Sequence, residues 1–550
     1  MEKVDLRFME QCFLFENKIK EFNTIKELAE DWRKAHKTIE ELRRKLTVKG
    51  QEVDLLKDRV SDLTKTVKRP RFKKRSNESS SRGKICEDAE ERNSKKGLDR
   101  ETHKKDLKIH QTKVIEPGNI PEGAKFKCYK RFIVQDLIIE PNNIEYKRAV
   151  YKLKNGKLLI PDFPKGIEGS HFGINLRSYI QYQYHKMRTT EGVIYESLKD
   201  MGFDISKTQI HNIIVSESLL MEKEYKDILS SGLVYSSHIC ADDTGAKHKN
   251  KNIYCTQIGN EAFGWYKSTD RKTRINFLEL LNNNKEEYAF TENSINYLKD
   301  HNVYEVKYIK RGLKLEGKDK LEKYIENLGM VSIKNTQLIK EVGLMGSIES
   351  KGISPSLFIM SDEAGQFNVF NRILCWVHIE RNFKKLSPTL DDFKQDLELV
   401  LDKIWKIYKM LKIYKIHQSI KLKKEIYKFF DLLISTETNY VPLKEQLQKL
   451  EKNKNKLLPV LTNFNLPLHN NLSENNIRQM VMRRNISGST YNEHGKNVRD
   501  IMTSIKVTCR RSLISFWDFL LDRISKQNNI PSLYFVVKNR LSELAITNTF

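Results

Sequence analysis

Between residues 233 and 269 three β-prone runs follow one another, LVYSSHICADD, NIYCTQIG and FGWYKST, with only short polar turns between them. β-branched and aromatic residues dominate each run, and connections that short join neighbouring strands antiparallel, so the stretch predicts a meander. A fourth apolar run, SLFIMSDE, comes much later, after the helical pattern RINFLELL, and reads as a buried strand. ILCWVHIERNFKKL then reads as a strand leading into a helix, and from Leu386 to Lys456 the pattern is helical and strongly charged, with few turn signals beyond Pro388 and Pro442. Strands interleaved with helices in this way predict an α/β core. With 550 residues, 39% of them hydrophobic and only 12 Pro and 24 Gly, the chain can bury a sizeable core and has room for two to four domains.

The amino-terminal part is different. Ile25, Leu28, Trp32, Ala35, Ile39, Leu42, Leu46, Val53, Leu56, Val60, Leu63 and Val67 step alternately by three and four, and Lys49 alone breaks the seam. A period of 3.5 held without Pro predicts a coiled coil over residues 1–67 and hence a homo-oligomer, although an amphipathic helix folded back on its own chain would carry the same stripe. KRPRFKKR at 68–75 opens a segment poor in large apolar residues, expected as a basic disordered linker over 68–120. Its cations suit phosphates read without regard to sequence, or a solvated tether. The whole chain carries 98 Lys and Arg against 72 Asp and Glu, a net charge of +26, which favours a polyanionic partner, nucleic acid first. No apolar run is long enough to span a membrane and no leader pattern opens the chain, so an intracellular protein is expected. The seven cysteines form no C-x-x-C pair, which fits free thiols and argues against a zinc ribbon.

Residues 121–230 are expected to hold small strands, RAVYKL and KLLIPDF, and then a helix-turn-helix-like pair in RTTEGVIYESLKDMGFDISKTQIHNII. The turn falls at Gly202, and Ser206 caps a second helix carrying Thr208, Gln209, His211 and Asn212. Gln209 and Asn212 have the amides that pair with adenine edges in a major groove, while two helices joined by a Gly turn are also ordinary packing.

Acidic pairs close two of the apolar runs: Asp242 and Asp243 after SSHICA, Asp362 and Glu363 after SLFIMS. Carboxylates at strand ends converge at a sheet edge, where divalent cations bridge them. Glu474 stands where a further helix begins, in LPLHNNLSENNIRQMVMRRNISGS. Such a trio suits two-metal phosphoryl chemistry, yet a chain with 72 acids offers many trios by spacing alone.

The words around these acids narrow the choice. ADDTG, SDEAGQF, ILCWVHIERNFKKL and HNNLSENNIRQMVMRRNISGSTYNEHGKNVRDIMTSIKVTCRR, in that order, resemble the insertion-sequence-66 family of bacterial transposases, over roughly residues 165–525. Intervals of 120 residues from Asp242 to Asp362 and 112 from Asp362 to Glu474 fit, the second being filled by the helical stretch. The resemblance implies an α/β, ribonuclease-H-like catalytic domain over 231–525 with a helical insertion at about 386–460, followed by a tail at 526–550. It implies a DDE-type transposase that binds terminal inverted repeats and cuts and joins double-stranded DNA. Asp242, Asp362 and Glu474 would be catalytic and would hold magnesium or manganese, two ions. Asp243 replaces the family's usual Glu beside the first acid and is itself an equally good ligand. The C-W-x-H word falls on Cys375, Trp376 and His378, for which packing is the better reading than zinc, since no second pair stands near. Asn470, Asn471 and Arg478 flank Glu474 with the chemistry to orient it or hold a phosphate, and Arg483 and Arg484 with Ser487 and Gly488 add donors. Glu363 reads as a capping or neighbouring acid. Many family members carry a cysteine-rich zinc segment before the core, whereas residues 76–164 here hold only Cys86 and Cys128, so no zinc is expected. Element-encoded accessory proteins and a cytoplasmic, nucleoid-associated location follow from the same resemblance. The competing classes are a catalytically inactive, host-retained DNA-binding regulator and a coiled-coil interaction protein.

Overall fold

The computed structural model describes residues 36–38, 41, 108–119, 121–130, 132–329 and 331–547. The heptad seam and the KRPRFKKR arm lie outside the described residues, apart from 36–38 and 41, which are helical. The chain divides into two units, 1–135 and 136–550. The described parts of the first unit, from residue 108, contain neither helix nor strand.

In the second unit a small antiparallel pair, β1 (Tyr151–Lys152) and β2 (Leu158–Leu159), realises the RAVYKL and KLLIPDF runs. Helices α1 (Ile174–Tyr182), α2 (Glu191–Asp200), α3 (Lys207–Leu220) and α4 (Glu222–Tyr235) follow. The turn between α2 and α3 contains Gly202 at φ 83, a left-handed conformation that glycine adopts without a Cβ penalty. Ser206 and Gln209 then form a reciprocal capping box, each side chain bonding the other's backbone N–H. Ile180, Ile194, Leu198, Ile210, Ile213 and Ile214 bury into a small core of their own.

The meander is present as β3 (His238–His248), β4 (Lys251–Gly259) and β5 (Gly264–Thr269). Two details correct the sequence expectation. Leu233–Tyr235 close helix α4, and β3 runs on six residues beyond Asp242, so the first acidic pair lies within a strand. After α5 (Arg274–Leu281), the ribbon of β6 (Glu287–Ala289) and β7 (Lys314–Glu316) encloses α6 (Glu292–Asp300), and α7 (Lys318–Asn327) and α8 (Ile333–Ser350) complete this layer. The chain then returns to the sheet as β8 (Phe358–Ser361) and β9 (Asn371–Leu374), both parallel to β3. The five-stranded order is β5-β4-β3-β8-β9. Alternate residues of the central strands, Ile239, Ala241 and Ile359, face the main core with Ile228, Ile339, Val342, Met502 and Ile505 from the covering helices.

The helical insertion, expected at about 386–460, begins earlier, with α9 (Trp376–Lys384), and continues as α10 (Asp391–Ile416), α11 (Ile420–Ile434), α12 (Val441–Lys452) and α13 (Lys454–Leu457). It has a separate core in which Trp376, Phe383, Ile407, Leu411, Phe430 and Leu443 are buried. Its two ends are tied together, because Trp376 N donates to Leu468 O at 3.1 Å. Helices α14 (Asn471–Ser487), α15 (Glu493–Arg511), α16 (Phe516–Ile524) and α17 (Leu533–Thr547) end the chain. The segment expected as a tail thus includes a helix: Leu533 and Val537 are fully buried, and Leu533 N donates to Glu224 Oε2 at 2.6 Å.

Helix α15 explains how edge strand β5 is satisfied. Gly264 N, Tyr266 N and Ser268 N are on one side of that strand, and they donate to Thr508 Oγ1 (3.3 Å), Ser504 Oγ (2.9 Å) and Asp500 Oδ2 (2.7 Å). Those acceptors recur every four residues, one per helical turn, so a polar stripe replaces the missing strand partner. Gly264 permits the close approach, since a Cβ there would lie 2.5 Å from Val507 Cγ1.

Candidate active site

The register of β3 and β8 decides where the acids meet. Cys240 pairs with Met360 across these parallel strands, and Asp242 and Asp362 each lie two residues further on. Side chains alternate along a strand, so both acids fall on the face shared by Cys240 and Met360, at the same level. That face also packs Ile373, Cys375 and Leu466, where the insertion leaves and rejoins the sheet. Asp243 points to the other face, where Gln366 Nε2 donates to its Oδ2 at 2.8 Å.

Helix α14 brings the third acid. Asn470, fully buried before its first turn, donates from Nδ2 to Ala241 O at 3.0 Å and from its backbone N to Cys375 Sγ at 3.2 Å. This fixes the start of α14 on β3 beside the insertion, and Glu474 N continues the first turn by donating to Asn470 O. Further along, Arg484 bonds Gly245 O of β3. Glu474 is thereby brought within electrostatic reach of Asp242 although far from it in sequence.

Charge crowding follows. Burial pushes the Asp242 carboxyl up to about 7; the N–H of Asp243, bonded to Oδ1 at 2.9 Å, opposes this, and the negative charges of Asp362, Asp243 and Glu474 add to the rise. Asp243 is also raised, by burial. Ala364 N donates to Asp362 Oδ1 at 3.0 Å, and Arg372 braces this turn through Asp362 O and Ala364 O. Glu363 turns away and accepts from Asn382 Nδ2 (2.6 Å) and Asn453 Nδ2 (3.3 Å).

Glu474 is held by a fork. Arg381 of α9 donates from Nη1 to Oε1 at 3.1 Å and from Nη2 to Oε2 at 3.3 Å, and His378 Nε2 is 3.7 Å from Oε1. Among the described residues no three His, Cys, Asp or Glu side chains stand close enough together to hold a metal ion. The donors nevertheless fit magnesium or manganese in kind: three hard carboxylates share one region, and one of them is raised partly by the others' charge. His378 Nδ1, Asn470 Oδ1 and Ser473 Oγ are buried beside Glu474 without hydrogen-bond partners, so the surroundings are polar and unsaturated.

The remaining candidates are dispersed. Asn471 and Arg478 are exposed on α14. Arg483 leans on Tyr184, with its guanidinium 3.9 Å from the ring centroid and Nη1 donating to Tyr184 O at 2.6 Å. Gln209 and Asn212 are exposed on α3 and line a cavity of about 860 Å³ with Ser216 and Arg523, away from the acids. Cys375 is buried, and its Sγ accepts from Asn470 N. The sequence reading missed Arg372, Arg381 and Gln366. Arg372 bonds carbonyls only eight and ten residues back, whereas Gln366 reaches Asp243 over 123 positions and Arg381 meets Glu474 over 93, which no local motif announces.

Fold and site thus define an α/β protein whose mixed sheet gathers carboxylates next to a helical insertion. The model of the IS66 transposase family matches residues 358–497, which contain Asp362, Cys375, Trp376, His378 and Glu474, while Asp242 precedes them. An uncharacterized protein of Sinorhizobium fredii (strain NBRC 101917 / NGR234), y4jO, is 35% identical over 305 residues, covering 54% of this chain and 94% of that relative. The chain belongs to the IS66 transposase family.

Proposed function

We propose that the protein binds the terminal inverted repeats of a mobile element, cleaves the DNA at its ends and joins the freed 3′ hydroxyls to target DNA. Asp242, Asp362 and Glu474 act as the catalytic carboxylates of a ribonuclease-H-like core. One observation carries this reading: Asp242 and Asp362 are level on adjacent parallel strands, and the helix that carries Glu474 starts from an Asn470 bonded to Ala241 of the same strand β3. The strand order, antiparallel through β5, β4 and β3 and parallel through β8 and β9, supports the ribonuclease-H-like assignment.

The three carboxylates would hold magnesium or manganese, which would supply charge stabilisation to a phosphodiester undergoing in-line displacement. The chain's own part is positioning. Arg372 fixes the turn that carries Asp362, Asn470 fixes the start of α14, and Arg381 with His378 sets the direction of the Glu474 carboxylate. In this reading the exposed Gln209 and Asn212 of α3 meet base edges of double-stranded DNA, and a net charge of +26 favours the encounter.

The test is incubation of the intact protein with DNA carrying the element's ends and magnesium or manganese. Release of 3′ hydroxyl ends and their joining to target DNA is expected. Specific binding without metal-dependent cleavage would replace this reading with that of a DNA-binding regulator.

A further inference from the structure

A basic site lies on the opposite side of α14 from Glu474. Arg483 follows Glu474 by nine residues, which is half a turn out of phase at about 100° per residue and about 13–14 Å further along the axis. There a cavity of about 200 Å³ opens between the end of α14, the start of α15, the turn at 183–188 and the helices α2 and α3. Arg188, Arg483, Arg499 and Lys506 line it. Their hydrogen bonds go to neutral oxygens: Arg188 Nη2 to Gln479 Oε1 (3.0 Å), Arg483 Nη1 to Tyr184 O, Arg499 Nη2 to Ser268 Oγ (3.3 Å) and Lys506 Nζ to His185 O (3.0 Å). Glu191 is the carboxylate on the lining, and both its oxygens lie 3.2 Å from His211 Nδ1.

Four basic side chains share this cavity with a single carboxylate, Glu191, which bonds His211 and none of the four, and that is a costly arrangement. Arg499 and Lys506 are each only 9% exposed, and Arg188 Nε and Arg499 Nε are buried without partners. Burial, followed by the charges of Arg188, Arg483, Lys186 and Arg510, lowers the Lys506 ammonium to about 7. An oxyanion entering the cavity would offset this charge and favour the protonated form of Lys506. Guanidinium forks match phosphate oxygens in pairs, and the first turn of α15 adds the positive end of a helix of 19 residues.

We propose that this cavity binds a backbone phosphate of the DNA duplex, at a point separate from the scissile bond. The inference rests on the reading of the protein as a DNA-binding transposase. The cavity is bounded by the start of α2 and by His211 of α3, so the phosphate it holds belongs to the stretch of duplex that α3 meets. Phosphate contacts of this kind fix register and leave base reading to other side chains.

The experiment uses the full chain and a set of end-sequence duplexes, each with one neutral methylphosphonate in place of a phosphate. Wild type is expected to lose about tenfold in affinity at one position of the scan, and its salt slope to fall by about one. Arg188→Gln and Lys506→Met should bind the unmodified duplex about tenfold more weakly and lose nothing further at that same position. Thermal unfolding of both variants checks that they remain folded, and Arg188, being only half-buried, supplies the independent arm. Inorganic phosphate is tested in parallel. Protection of wild type by inorganic phosphate with a flat methylphosphonate scan would overturn the proposal in favour of a free-phosphate site. A variant that still loses tenfold at the sensitive position would overturn it as well. Absence of any end-DNA binding by wild type would instead sink the reading on which it rests.

Discussion

The first acid shows what a single residue position decides. Asp242 and Asp243 are chemically equal in the sequence, and no spacing rule separates them. Register does, because moving by one residue along a strand reverses the face: Asp242 joins Asp362, and Asp243 goes to Gln366. Arg381 is the other residue-scale finding. Its fork on Glu474 is half-exposed on the arginine side, so the pair stabilises by no more than about 1 kcal/mol. A cation approaching Glu474 has to compete with it. Arg381→Ala is therefore expected to lower the magnesium concentration for half-maximal cleavage by about two- to fivefold, a ratio set by that same 1 kcal/mol. A metal titration of the cleavage rate checks this, and an unchanged midpoint would mean that the fork does not oppose metal binding.

At the scale of elements, most of the secondary structure was legible and several limits were not. The cap at Ser206 and the turn at Gly202 are short-range patterns, and both are present as read, while the reciprocal bond from Gln209 was not read. The end of α4 was misread because Leu233, Val234 and Tyr235 favour strands locally, while Leu233 is buried in the main core as part of a helix. α17 was missed because its burial is earned against α4, far away in sequence. The polar stripe of α15 was also invisible: Asp500, Ser504 and Thr508 look like a solvent face until β5 is laid beside them. Ser504→Ala would leave Tyr266 N buried without a partner and should cost about 1–3 kcal/mol, read from urea unfolding. Gly264→Val should cost more, because its side chain would occupy the space of Val507. Equal stability of both variants with wild type would contradict the edge-strand account.

For the whole molecule, charge and connectivity set the expectations. If the basic surface neutralises six to ten phosphates, affinity for end DNA should fall about 10³- to 10⁵-fold between 50 and 200 mM salt. Fluorescence anisotropy at several salt concentrations measures this, and a flat dependence would argue against a phosphate-led interface. The helical insertion supplies Arg381 and His378 to the site from a core of its own, so the intervals between the acids reflect how much chain is needed to bring α9 and α14 together. That explains why the acids were weak evidence by spacing and stronger once their flanking words were read. The central claim is that Asp242, Asp362 and Glu474 act together on DNA. It is tested most directly by the rate of metal-dependent end cleavage for Asp242→Asn, Asp362→Asn and Glu474→Gln, with end-DNA binding measured alongside. Each variant should bind DNA and lose cleavage by roughly 10³-fold or more; cleavage retained by any one of them would contradict the assignment of that residue and of the trio.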